Sequence, residues 1–115
     1  MIIKRGDILL AKLDPVKGSE QGKTRPCLVV QEDTANQYSP NTIIAPITSA
    51  VPDKHYPTVV LAGPRESGLP KESVILCSQI RTISKEHRII KKLGSLNSTK
   101  MKEVNKALKT SLGLD

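Results

Sequence analysis

Short β-branched runs, cut apart by clusters of Pro, Gly, Ser and Asp, constrain this chain more than any other feature. Strands are expected over residues 6–13, 25–31, 42–48, 58–62, 73–83 and 89–93, where Val, Ile and Thr concentrate. Turn chemistry fills 15–18, 39–41, 50–57 and 63–71. Several short strands at this spacing predict a mainly β fold, a small barrel or sandwich, in one domain spanning 1–115. The chain has no Phe and no Trp, so its core must be aliphatic.

One helix is expected to close the chain. Asn97 or Ser98 caps it, Leu96 can staple onto Met101, and Gly113 stops it. Met101, Val104, Leu108 and Leu112 form its apolar stripe, while Lys100, Lys102, Lys106 and Lys109 lie off the stripe and face solvent. A further short turn of helix is expected after Ser84.

No apolar run approaches the ~18 residues of a membrane span, and Met1, Ile2, Ile3, Lys4, Arg5 lacks a signal-peptide stretch, so a cytoplasmic protein is expected. Cys27 and Cys77 have no neighbouring Cys or His at ligand spacing; they read as buried free thiols, with no metal site and no cofactor. The net charge is +7, and residues 82–115 hold eight Lys or Arg against three acids. A basic section like this suits nucleic acid or an acidic protein segment, and equally a solvated helix face.

The segment Gly18, Ser19, Glu20, Gln21, Gly22, Lys23, Thr24, Arg25, Pro26 runs straight into Cys27, Leu28, Val29, Val30, Gln31. Its glycines loosen the backbone, whereas Pro26 restrains Arg25 to the extended region, so a mobile loop should deliver an arginine to a fixed place at the start of a strand. Gly22, Lys23, Thr24 imitates the end of a P-loop, but Lys17 stands where the first glycine belongs and a strand follows where a helix should. A nucleoside triphosphate site is therefore rejected.

RNA can be cut with its own 2′-hydroxyl as nucleophile, given a group to take that proton, charge stabilisation at phosphorus and a donor for the leaving oxygen. Arg25 offers fixed donors suited to phosphate oxygens, Glu20 is the best carboxylate for proton transfer, and Thr48 follows a β-branched run that holds its hydroxyl steady. Gln79 can meet a base edge. Each has a plainer reading: a surface ion pair for Arg25, strand propensity for Thr48, a strand cap for Gln79. His55 and His87 lie in polar segments and read as surface residues. Arg25 should sit at a solvent-facing cleft, so that its removal leaves stability nearly unchanged.

In register, these segments resemble the MazF/PemK family of toxin endoribonucleases. The resemblance runs through Gly6, Asp7, Ile8; Pro15; Gly18 to Gly22; Arg25, Pro26; Leu28 to Gln31; Ser39, Pro40; Pro46, Ile47, Thr48; Ser73, Val74, Ile75; Gln79 to Thr82; and Leu112, Gly113, Leu114. It implies an SH3-like β-barrel with a C-terminal helix, a homodimer, and metal-independent cleavage of single-stranded RNA at a short sequence. It places the catalytic arginine and threonine on Arg25 and Thr48, the substrate-contacting loop on Ser19, Glu20 and Gln21, and a further RNA contact on Gln79. An acidic antitoxin protein is the implied partner. The sequence departs from close relatives at Lys23, where glycine is common, at Glu32 and at Ser78. With only Tyr38 and Tyr56 as aromatics, base stacking cannot dominate RNA binding. The gyrase-poisoning toxin CcdB resembles the same fold and leaves a protein-binding inhibitor open, as does a noncatalytic RNA-binding barrel.

Overall fold

A computed structural model describes all of residues 1–115. Seven strands run in the order β1 (Asp7–Lys12), β2 (Thr24–Val29), β3 (Asn41–Thr48), β4 (Val59–Ala62), β5 (Ser73–Leu76), β6 (Arg81–Ser84) and β7 (Ile89–Ser95). Four helices interrupt or follow them: α1 (Asp33–Tyr38), α2 (Pro64–Ser67), α3 (Lys85–Arg88) and α4 (Ser98–Leu112). All strand pairs are antiparallel, in the spatial order β4-β5-β3-β2-β1-β7, with β6 also on β3. No pairing joins β4 or β6 to β7, so the expected barrel is a sheet left open along its strand ladder.

The alternation of side chains explains why the strands read as continuous apolar runs. Ile8, Leu28, Ala45 and Ile75 point to one core, shared with Val104 and Ala107 of α4. Their neighbours Leu9, Cys27 and Ile44 point to a second core with Ala11, Val29 and Ile83. Successive residues of a strand face opposite sides, so a sheet covered on both faces needs apolar residues at nearly every position. The two cysteines are buried and free, as expected.

β3 changes partners along one edge. Asn41–Ile44 pairs with β6, whereas Ile47 and Thr48 pair with β5. Pro46, which has no N–H to give a ladder, stands in the gap between them. The single strand expected over 73–83 is accordingly two, separated by a tight turn in which the Gln79 N–H donates to the Leu76 carbonyl. That turn projects Ser78 and Gln79 beside the gap.

Helix α4 matches its expected ends: the Asn97 side chain accepts from the Lys100 N–H, and Gly113 closes the helix at φ +71°. Its buried stripe is Val104 and Ala107, flanked by Met101 and Leu108, while Leu112 is 53% exposed and lies past the core. The expectation placed Leu112 inside and passed over Ala107. α3 is the turn expected after Ser84, capped by the Ser84 hydroxyl. α1 was not expected. Glu32 caps it by accepting from the Thr34 and Ala35 N–H groups, and Thr34, side chain first, holds the Glu32 carboxyl below its ordinary pKa.

Candidate functional site: two clefts beside the β3 switch

Arg25 lies in β2 opposite Ala11, extended as Pro26 requires. Its side chain reaches across to β3. Nε donates to the Gly22 carbonyl at 2.6 Å and Nη1 to the Ile47 carbonyl at 3.5 Å, which leaves both Nη2 hydrogens and one on Nη1 for a ligand. The residue is half-buried and fastened at two points, so it is less dispensable for stability than a solvent-facing arginine. Thr48 follows Ile47 directly. Its Oγ1 accepts from the Ala50 N–H at 3.2 Å, so the hydroxyl hydrogen is free to donate outward.

Arg25 and Thr48 share a cleft of about 400 Å³. Lys23 and Lys71 also line it, and no carboxylate does. Neither lysine forms a salt bridge. The cleft is thus a concentration of positive charge with one neutral hydroxyl donor.

The loop that precedes Arg25 is tied down rather than free. The Lys17 N–H donates to Glu20 Oε1, the Gln21 N–H to Gln79 Oε1 and the Lys23 N–H to Asp14 Oδ1, each at 2.8 Å. Gly22 leaves room here that a larger residue would take, because a Cβ would stand 2.3 Å from Asp14 Oδ1 and 2.6 Å from Val16 Cγ2 and force those side chains to shift. Two residues with positive φ, Gly18 and Lys23, turn the chain at its ends.

Ser19, Glu20, Gln21 and Gln79 line a second cleft of about 610 Å³, with Pro46, Ser78 and Arg81. Pro46 in this cleft and Thr48 in the other are two residues apart on β3, so the clefts adjoin across the switch. The structure therefore brings Arg25 and Thr48 together and places Glu20 in the neighbouring cleft, engaged with its own loop. Glu20 is the one carboxylate lining either cleft.

Sequence reasoning passed over Arg81 as a site residue, although it lay within the matching segments. Arg81 Nη1 donates to the Leu13 carbonyl at 2.9 Å, and the residue is the sole cation of the second cleft. Lys71 carried no signal, since it sat in a turn-rich stretch. Neither histidine lines either of these two clefts; His87 is exposed, 3.8 Å from Glu86. No three His, Cys, Asp or Glu side chains group in a way that could hold a metal ion. No helix is long and apolar enough to cross a membrane.

Residues 4–112 match the family of PemK-like, MazF-like toxins of type II toxin-antitoxin systems. The chain is 49% identical over 113 residues to the endoribonuclease MazF of Staphylococcus saprophyticus, covering 98% of this chain and 93% of that protein. Its fold is similar to MazF from Deinococcus radiodurans, at a TM-score of 0.83 and 25% identity with 99% of each chain covered. It is also similar to a chain in a MazE-MazF structure from the same organism, at a TM-score of 0.76 and 25% identity with 100% of this chain and 99% of that one covered. Matched along nearly its whole length in sequence and in fold, the chain belongs to the PemK-like, MazF-like toxin family of type II toxin-antitoxin systems.

Proposed function

We propose that this endoribonuclease toxin cuts single-stranded RNA at a short sequence, without a metal ion, using the substrate 2′-hydroxyl as nucleophile. The observation that carries the reading is the convergence of Arg25 and Thr48 in a cleft with two more cations and no carboxylate. The 2′-hydroxyl gives up its proton as its oxygen attacks phosphorus, the bond to the 5′-oxygen breaks, that oxygen takes a proton from solvent, and the products carry a 2′,3′-cyclic phosphate and a 5′-hydroxyl. Charge accumulates on the non-bridging oxygens. The free Arg25 N–H groups are aimed where that charge develops, and the Thr48 hydroxyl donates to the same phosphate. Glu20 is the proposed proton acceptor. That role requires Glu20 to release the Lys17 amide and reach past Pro46.

Ser19, Gln21 and Gln79 are proposed to read bases in the second cleft. Gln79 Oε1 is held by the Gln21 N–H, which fixes the amide and leaves its NH₂ for a base edge. The protein is proposed to act as a homodimer in the cytoplasm, and an acidic antitoxin segment covers the cationic cleft until it is removed. MazF of Deinococcus radiodurans, which forms MazE-MazF assemblies, supports that partner class.

The test is incubation of the purified protein with single-stranded RNA in EDTA. Cleavage leaving 5′-hydroxyl ends is expected, with loss in Arg25→Ala and Thr48→Ala. Activity that vanishes in EDTA and returns with magnesium contradicts the mechanism.

A further inference from the structure

The sequence spends a lysine where the backbone asks for glycine. Lys23 is the one non-glycine residue with positive φ, at +64°. An L side chain in this left-handed region carries strain that glycine avoids, and such strain concentrates where a side chain serves a ligand. The backbone of Lys23 is locked from both sides: its N–H donates to Asp14 Oδ1 at 2.8 Å, and its carbonyl accepts from the Leu13 N–H at 2.9 Å. The turn is therefore imposed by the loop, whatever residue occupies it. The side chain is exposed, lines the Arg25 cleft, and has no acidic partner within salt-bridge distance. Asp14, the nearest acid in this bonding pattern, is engaged by the backbone N–H instead.

We propose that Lys23 is a phosphate-binding residue, held in left-handed geometry so that its ammonium grips a phosphate next to the scissile one. Arg25 offers a planar fork for the reacting phosphate. Lys23 offers a compact point charge for a neighbouring one, a contact that adds affinity without sequence information. Lys71, on the same cleft and also unpaired, adds to its positive charge. The proposal rests on the RNA-cleaving reading given above.

The experiment measures binding of a single-stranded RNA carrying 2′-O-methyl groups, which cannot be cut, across a series of salt concentrations. Each phosphate contact on a single strand contributes about 0.7 to the slope of log K against log salt. Lys23→Ala is expected to lower the magnitude of that slope by about 0.7, and Lys106→Ala, on the exposed face of α4, to leave it in place. Lys23→Gly should lose the same affinity as Lys23→Ala and melt at a higher temperature than Lys23→Ala, because the strain goes with the side chain. A Lys23→Ala slope equal to wild type overturns the proposal, and so does an equal drop in Lys106→Ala, which would make the effect one of overall charge. Wild-type protein that binds no RNA removes the underlying reading instead.

Discussion

The two clefts adjoin on β3 yet differ in kind. One gathers Lys23, Arg25 and Lys71 with no carboxylate; the other balances Arg81 against Glu20 and is otherwise furnished with prolines, hydroxyls and the amides of Gln21 and Gln79. An RNA strand has the same two-part character. Its phosphates are anionic and alike at every nucleotide, whereas its bases are neutral and differ in hydrogen-bonding edges. Charge suits what every nucleotide shares, and oriented amides suit what distinguishes them. On the proposed mechanism, stabilisation of the scissile phosphate and grip fall to the cationic cleft, and choice of cleavage site, together with the Glu20 carboxylate, to the amide cleft. Both are positioned by one event in the fold, the change of partner of β3 at Pro46.

The largest effect expected is on the cationic side. Arg25→Ala should lower single-turnover cleavage by about 10² to 10³, the usual consequence of losing a preorganised donor. It should also lower stability by about 1 kcal/mol, since the Gly22 and Ile47 carbonyls lose their donor. Arg25→Lys should fail as well, because an ammonium cannot reproduce the fork. Wild-type rates in these variants would dissolve the division between the clefts. Next comes Gly22→Ala, whose methyl group would press on Asp14 and Val16 and displace the carbonyl that orients Arg25. Denaturant unfolding should register a loss of about 1 to 3 kcal/mol, and an unchanged midpoint would contradict the close approach.

Both parts of the site were partly legible in the sequence, for a physical reason. The 18–26 segment announces itself because glycines and a proline punctuate a polar loop, and α4 does so because its caps and 3.6-residue period coincide. Continuous apolar runs say less. Apolar residues continue through the turn, with Ile75, Cys77 and Ile80 on one core and Ile83 on the other, so nothing in their hydropathy marks the turn that separates β5 from β6 and carries Gln79. α1 escaped notice because its six residues hold no apolar stripe, and its start depends on Glu32, a side chain less usual in that role than Asp or Ser. Glu20 stood out in the sequence as the carboxylate on the loop that leads to Arg25. Three-dimensional ties, from Lys17 to Glu20 and from Gln21 to Gln79, turn that carboxylate toward the other cleft.

A smaller effect is expected on the amide side. Gln79→Ala removes both the proposed base contact and the anchor for the Gln21 N–H, and should change preference among cleavage sites by about tenfold, as single contacts to a base edge do. Competition between two short RNAs differing at one base would reveal it; an unchanged ratio would place the reading of bases elsewhere.

At neutral pH no effect is expected from Cys27, a buried thiol that feels the charges of Arg25 and Arg81; its contribution is to stability at high pH. Burial pushes its thiol up to about 12, and Arg25 and Arg81 pull in the opposite direction without prevailing. The folded protein keeps this proton above pH 9, where the unfolded chain releases it, so stability is fully present below about pH 9 and is lost as pH rises toward 12. The slope is at most about 1.4 kcal/mol per pH unit for this one thiol. Cys77, likewise raised to about 12 by burial, adds a similar slope. Cys27→Ala should flatten roughly half of the alkaline decline in denaturant unfolding, and an unaltered decline would show that the thiol is not the cause.

Sequencing the 5′-hydroxyl ends produced from a pool of random single-stranded RNA by wild type, Arg25→Ala and Gln79→Ala separates rate from preference in one measurement. Arg25→Ala should slow cutting at every site by the same factor and leave the ranking of sites intact, whereas Gln79→Ala should reorder the sites while its best substrate is still cut at near the wild-type rate. Reordered sites in Arg25→Ala, or a uniform slowing without reordering in Gln79→Ala, would contradict the division of labour between the two clefts.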